Sequence, residues 1–105
     1  FRRVLFRSQL DCRFVTECVE AEPCAGTDYA FAVETEGMTA TLRTPSGDVE
    51  ARLGLTPEGA AVILGIRPGA VHLLKLMDDA GTARYTTHLP GAGMALTYLG
   101  TCEES

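Results

Sequence analysis

Turn-forming residues punctuate this chain at short, regular intervals, and that rhythm leaves little room for anything but strands. The signals are Glu22-Pro23, Gly26, Glu36-Gly37, Pro45-Ser46-Gly47-Asp48, Pro57-Glu58-Gly59, Arg67-Pro68-Gly69, Asp78-Asp79-Ala80-Gly81 and Pro90-Gly91-Ala92-Gly93. Between them lie runs of about six to ten residues rich in Val, Leu, Ile, Thr, Tyr and Phe, the spacing of an all-β meander, sandwich or barrel.

Alternation supports the same reading. Tyr29, Phe31 and Val33 share one face of a run whose other face carries Asp28, Ala30, Ala32 and Glu34. Met38, Ala40 and Leu42 alternate with Thr39, Thr41 and Arg43, and Val49, Ala51 and Leu53 with Asp48, Glu50 and Arg52. Period two is the signature of a strand with one wet face. Residues 60–66 and 70–77 are apolar almost throughout and read as interior strands, covered on both faces. The competing assignment is a helix over 57–66, with Thr56 as N-cap and Pro57 at the first helical position. The sequence thus predicts an all-β fold, a small antiparallel β-barrel or sandwich of about eight strands. Its expected core holds Phe31, Val33, Leu42, Leu53, Ile63, Val71, Leu73, Tyr85 and either Leu96 or Tyr98.

At 105 residues the chain has room for one domain. Residues 1–8 differ from the rest in charge and pattern and resemble a translated adapter or vector sequence, so they read as a non-native tag, and residues 9–105 as a single β-domain. On that reading any export signal is lost. No apolar run reaches the ~18–20 residues of a membrane-spanning helix.

Four cysteines, Cys12, Cys18, Cys24 and Cys102, make an even set in a small domain, which suits disulfides in an oxidising compartment better than free thiols or metal. Zinc sites pair thiolates about two to four residues apart, and here no such pair exists. On one strand, Cys12 and Cys18 would stand ~20 Å apart, beyond the reach of a disulfide. Cys18 and Cys24 flank a loop able to turn back on itself, which leaves Cys12 to join Cys102, the first strand to the last.

The charge is acidic, 9 basic groups against 14 acidic ones for a net of −5. Past residue 10 the balance is 6 against 14, a net of −8, because Arg2, Arg3 and Arg7 all lie before it. Such a surface repels phosphate backbones, so nucleic acid is not an expected partner, whereas a basic protein is.

Raw material for catalysis is scarce. Ser46 sits among turn formers in Thr-Pro-Ser-Gly-Asp, without a G-x-S-x-G elbow. His72 shares a face with Ala70, Leu74 and Leu76 and reads as a partly buried strand residue. His88 lies with Arg84 and Thr86 opposite Tyr85, Thr87 and Leu89, facing solvent or a groove. No catalytic residue, cofactor or metal site is assigned. The candidate partner-binding residues are Asp78, Asp79, Thr82, Arg84 and His88, on and beside the hairpin between the longest expected strands.

Three resemblances bear on function. Val62-Ile-Leu-Gly-Ile-Arg-Pro-Gly-Ala-Val-His-Leu73 resembles a segment of the accessory β-domain that follows ABC-transporter ATPase domains, which implies a cytosolic regulatory or small-ligand module. Asp11 to Cys18 with Pro23-Cys24, then Gly81-Thr-Ala-Arg-Tyr-Thr-Thr-His88 and Met94 to Glu103, are similar to small exported alphaproteobacterial proteins, which bring a signal peptide and no established activity. In outline these stretches also resemble periplasmic inhibitors of C-type lysozyme, which implies a small antiparallel barrel that blocks a cationic hydrolase. Asp78 to Thr82 carries neither the Ser nor the Lys of the inhibitor's exposed loop. The reading drawn from all this is a periplasmic or secreted, disulfide-stabilised binding or envelope accessory protein without catalysis. Inhibition of a cationic hydrolase is the alternative, and the cytosolic accessory domain comes third.

Overall fold

The computed structural model describes residues 8–77, 81–89 and 93–105. Eight strands follow one another: β1 (Ser8–Val19), β2 (Ala25–Glu36), β3 (Thr39–Thr44), β4 (Gly47–Leu55), β5 (Ala61–Arg67), β6 (Ala70–Leu76), β7 (Thr82–Leu89) and β8 (Met94–Glu104). Each pairs antiparallel with the next, and β8 returns to pair with β1, so the sheet closes into an up-and-down barrel. Closure leaves no unpaired strand edge.

Two-residue turns make several of these reversals cheap. Pro68 followed by Gly69 at φ 85° supplies the fixed first and left-handed second position of a type II turn. The helix weighed over 57–66 does not form. Thr56 instead closes a turn, its hydroxyl accepting from the Ala60 amide at 3.1 Å and its carbonyl from the Gly59 amide at 2.9 Å, and β5 begins at Ala61.

Two disulfides staple the barrel. Cys12 bonds Cys102, which stands directly opposite it where β1 meets β8, and Cys18 bonds Cys24 across the β1–β2 turn. Both agree with an oxidising compartment. No helix among the described residues is long and apolar enough to cross a membrane.

The inward faces hold a single core. Leu10, Val33, Leu42, Leu53, Ile63, Leu74 and Leu76 fill the end where β1 starts, and Phe14, Phe31, Tyr29, Tyr85 and Tyr98 fill the other. Charged residues such as Asp11, Arg13, Glu50 and Arg52 point outward, and Arg43 bridges Glu34 and Asp48 across β2, β3 and β4.

Three expectations about the core need correction. Val71 and Leu73 do not join it: β6 turns Leu74 and Leu76 inward, and Leu73 is 38% exposed. The stretches at 60–66 and 70–77 are not covered on both faces either, since Leu64 opposes Leu73 and Ile66, 72% exposed, opposes Val71 on the outer surface. A closed barrel has an inside and an outside, and among the described residues nothing packs on the outside here. Met38 is also outside, because it belongs to the β2–β3 turn rather than to β3.

Candidate functional site

Of the expected partner-binding residues, the structure describes three, all on one face of β7. Asp78 and Asp79 lie outside the described residues. Thr82, Arg84 and His88 are exposed on the outer face of β7. Thr82 and His88 stand at opposite ends of that strand, ~20 Å apart at ~3.3 Å per residue. The Met77 amide donates to the Thr82 carbonyl at 2.7 Å where β6 gives way to β7, so Thr82 serves the hairpin backbone. Among the described residues, no group of three His, Cys, Asp or Glu could hold a metal ion.

The barrel itself builds a different site at its aromatic end. There the starts of β2, β4, β6 and β8 meet the ends of β1, β3, β5 and β7. They enclose a cavity of about 350 Å³, lined by Tyr29, His72, Tyr85, Thr87, Leu96 and Tyr98, with Thr44, Ser46 and Arg67 at the rim. That size falls at the small end of ligand pockets, roughly 300–1,000 Å³.

Strand alternation sets the walls. Tyr29 and Phe31 on β2, Tyr85 and Thr87 on β7, and Leu96 and Tyr98 on β8 are successive inward positions. The three phenols are the chain's only tyrosines, and all of them line this one cavity. Tyr29 stacks on Tyr98 with ring centroids 4.7 Å apart, Tyr98 on Tyr85 at 5.8 Å, and His72 on the Tyr85 ring at 6.0 Å. Such pairs stabilise by about 0.5–1.5 kcal/mol beyond the area they bury.

A β-bulge brings in a group that simple alternation would place outside. The pairing of β1 with both neighbours shifts between Phe14 and Thr16, which leaves Val15 on the outer surface and sets Glu17 opposite Tyr98. Gly100 makes the bulge sterically possible, since a Cβ there would lie 2.0 Å from the Arg13 carbonyl oxygen. Beyond the bulge, Glu20 adopts a left-handed conformation at φ 48°. Its carboxylate accepts from the Ala95 amide at 2.6 Å and pins the β1–β2 turn to the start of β8.

The electrostatics of the cavity favour neutral groups. Burial raises all three phenols above their ordinary value of 10.0. The neighbouring Glu17 carboxylate raises Tyr98 further, while a Thr44 hydroxyl partly offsets the effect at Tyr29. His72 is lowered from 6.5, first by burial and then by the Arg67 charge, so it stands neutral at pH 7. Its Nδ1 lies 2.6 Å from the Tyr85 hydroxyl, and a neutral ring accepts that phenol's proton there. One polar group is left over. Thr87 is only 6% exposed, and its Oγ1, although close enough to favour ionisation of Tyr85 slightly, has no hydrogen-bond partner.

Comparison of the chain with known protein families and with curated proteins finds no match. The site therefore rests on its own geometry. Sequence reasoning placed Tyr85 in the core and His72 partly buried but did not see them as one constellation with Thr87. The visible signal was a threonine on the same face as Tyr85 and Leu89.

Proposed function

We propose that this chain is a small exported binding protein, periplasmic or secreted, that performs no catalysis and takes its ligand or partner at the open end of the barrel. The observation that carries this reading is the cavity there, held between strands that closure and two disulfides keep in place. A rigid barrel with an apolar interior and a half-open mouth is suited to holding a molecule rather than transforming one. The test is tyrosine emission. The chain has no Trp and its three tyrosines all line the mouth, so its own emission, read as the difference from extract alone, reports on that site. Small-molecule and macromolecular fractions of an envelope extract should each be titrated, and a saturable response to either supports the reading. No response to both overturns it.

Inhibition of a cationic hydrolase is the second reading, favoured by the net charge of −5. It would use the other end of the barrel, where Leu76 and Thr82 flank the β6–β7 connection. Binding to lysozyme at low salt, weakened by Asp78→Ser with Asp79→Ser and by added salt, is its expected outcome. No binding at low salt eliminates it. The two disulfides weigh against the third reading, the cytosolic accessory domain.

A further inference from the structure

We infer that the mouth holds a small, uncharged ring compound of the cyclic alcohol, phenol or ketone class, whose oxygen pairs with the Thr87 hydroxyl while its ring lies among Tyr29, Tyr85, Tyr98 and Leu96. This deepens the binding reading above and rests on it.

Three observations converge. The first is the hydroxyl of Thr87, more than nine-tenths buried, on the cavity wall and without a partner. Leaving a buried donor and acceptor unmade is costly, so such a group is normally satisfied by the protein, an ordered water or a ligand. The Tyr85 hydroxyl beside it has already given its one proton to His72 Nδ1, so it has none to offer the Thr87 oxygen. The second is the wall around it, aromatic and aliphatic on several sides, which matches a ring in shape and polarity. The third is the position of charge. Arg67 stands at the exposed rim, with its Nη1 donating to the Asp48 carbonyl at 3.0 Å, and the inner wall carries neutral groups. Glu17 beside Tyr98 and Arg67 at the rim carry opposite charges, so an ion of either sign would shed its hydration to meet one attractive and one repulsive neighbour, and the part that enters is uncharged. A volume of about 350 Å³ gives ample room for one ring with its substituents.

The test uses the intact, oxidised protein and two probes, cyclohexanol, which neither absorbs nor emits with tyrosine, and cyclohexanone, whose weak carbonyl absorption is corrected for against free tyrosine at the same probe concentration. Both should change tyrosine emission saturably, and cyclohexanecarboxylate, of the same ring but charged, should not. Thr87→Val keeps the shape and removes the oxygen, and should weaken both probes about tenfold, the ordinary effect of one lost buried hydrogen bond. Thr87→Ser should retain most of the affinity. Thermal melts of both variants establish that each is folded, and nuclear Overhauser transfer from the Thr87 methyl to the bound probe gives a second readout independent of emission. Equal affinity for Thr87→Val and the parent protein overturns the inference, as does a Thr87 hydroxyl that holds an ordered water only and yields to neither probe. A mouth that answers the envelope extract but neither probe removes this ligand class and leaves the binding reading intact. Silence to both removes the two together.

Discussion

The two ends of this barrel are built by the same strands under the same alternation, yet they are filled on different principles. At the closed end, Leu10, Val33, Leu42, Leu53, Ile63, Leu74 and Leu76 interlock around small residues, Ala40, Ala51, Ala61 and Ala83. Branched aliphatic side chains beside alanines fill space with few voids and present no polar atom that needs a partner. At the open end, flat rings lean against one another, a cavity remains, and the Thr87 hydroxyl is left without a partner. Tight aliphatic packing is therefore concentrated at one end of the molecule, and open volume with an unpaired buried hydroxyl at the other. Proteins commonly place binding elements where structure is least over-determined.

The disulfides offer the largest test of that contrast. Cys12–Cys102 lies inside the closed half and ties residues 90 apart in sequence, whereas Cys18–Cys24 flanks the mouth and spans 6. By loop-closure entropy, the first should contribute about 4–5 kcal/mol and the second about 2 kcal/mol. Urea unfolding of paired Cys→Ala variants should show that order. Equal losses would mean that the chain is not anchored from its closed end.

Side-chain truncation comes next. Leu74→Ala, at a fully buried position, should cost about 2–5 kcal/mol because the space left behind cannot collapse. Leu96→Ala borders an existing cavity and is only partly buried, so its cost should be about half as large. Equal costs for the two, measured as shifts in unfolding midpoint, would show that the mouth is as tightly packed as the closed end.

How much of this was legible in the sequence depended on how polar each strand's outer face is. On β2 and β4 the charges Asp28, Glu34, Asp48, Glu50 and Arg52 mark the wet face, and the inward set followed directly. On β6 both faces are apolar, so period two existed without a phase, and Val71 and Leu73 were exchanged for Leu74 and Leu76. His72 was the better marker, for it does lie on the inner face with Leu74 and Leu76. The β1 bulge was beyond alternation altogether, since counting from Cys12 and Phe14 puts Glu17 outside. Gly100, a lone glycine within β8, was its only trace, and a glycine in a strand marks a close approach without saying where on the partner it falls. The mouth could not be read because it gathers residues from seven strands, and only the closing of β8 onto β1 brings them round one opening.

The same contrast predicts opposite failures at the two extremes of pH, both originating at the mouth. The three phenols are raised in the folded protein. Their contribution to stability is complete below the unfolded value of 10.0 and is lost as pH rises beyond it, where only the unfolded chain readily gives up the protons. Absorbance at 295 nm should accordingly show no phenolate step near pH 10 until the barrel opens. A three-tyrosine step at pH 10 in folded protein would mean that the rings are in water. His72 is lowered, so its contribution is present above 6.5 and diminishes as pH falls below that value, when protonation favours the unfolded chain. Histidine carbon-bound proton shifts should place its titration below that of a free imidazole. The His72→Gln variant should flatten the acid limb of the stability profile near that pH.

The smallest effect carries the most information about what the open end is for. Thr87→Val replaces a hydroxyl by a methyl at nearly constant shape, and the outcome turns on whether that hydroxyl is bonded. At a satisfied buried position the change would cost about 1–2 kcal/mol, because a donor or acceptor elsewhere would lose its partner. Thr87 has no partner to strand. Removing its oxygen relieves an uncompensated desolvation, so the variant should be as stable as the parent protein or more stable by up to ~1 kcal/mol. The matched substitution at the closed end is Thr35→Val. Thr35 is equally buried, but its hydroxyl sits 3.0 Å from that of Ser8, across the β1–β2 seam, and its loss should destabilise. A pair of urea titrations decides the matter. If Thr35→Val destabilises and Thr87→Val does not, the buried hydroxyl at the mouth is held in place at no benefit to the fold. Its partner then lies outside the chain, an ordered water or the guest proposed above, and the probe titrations tell the two apart.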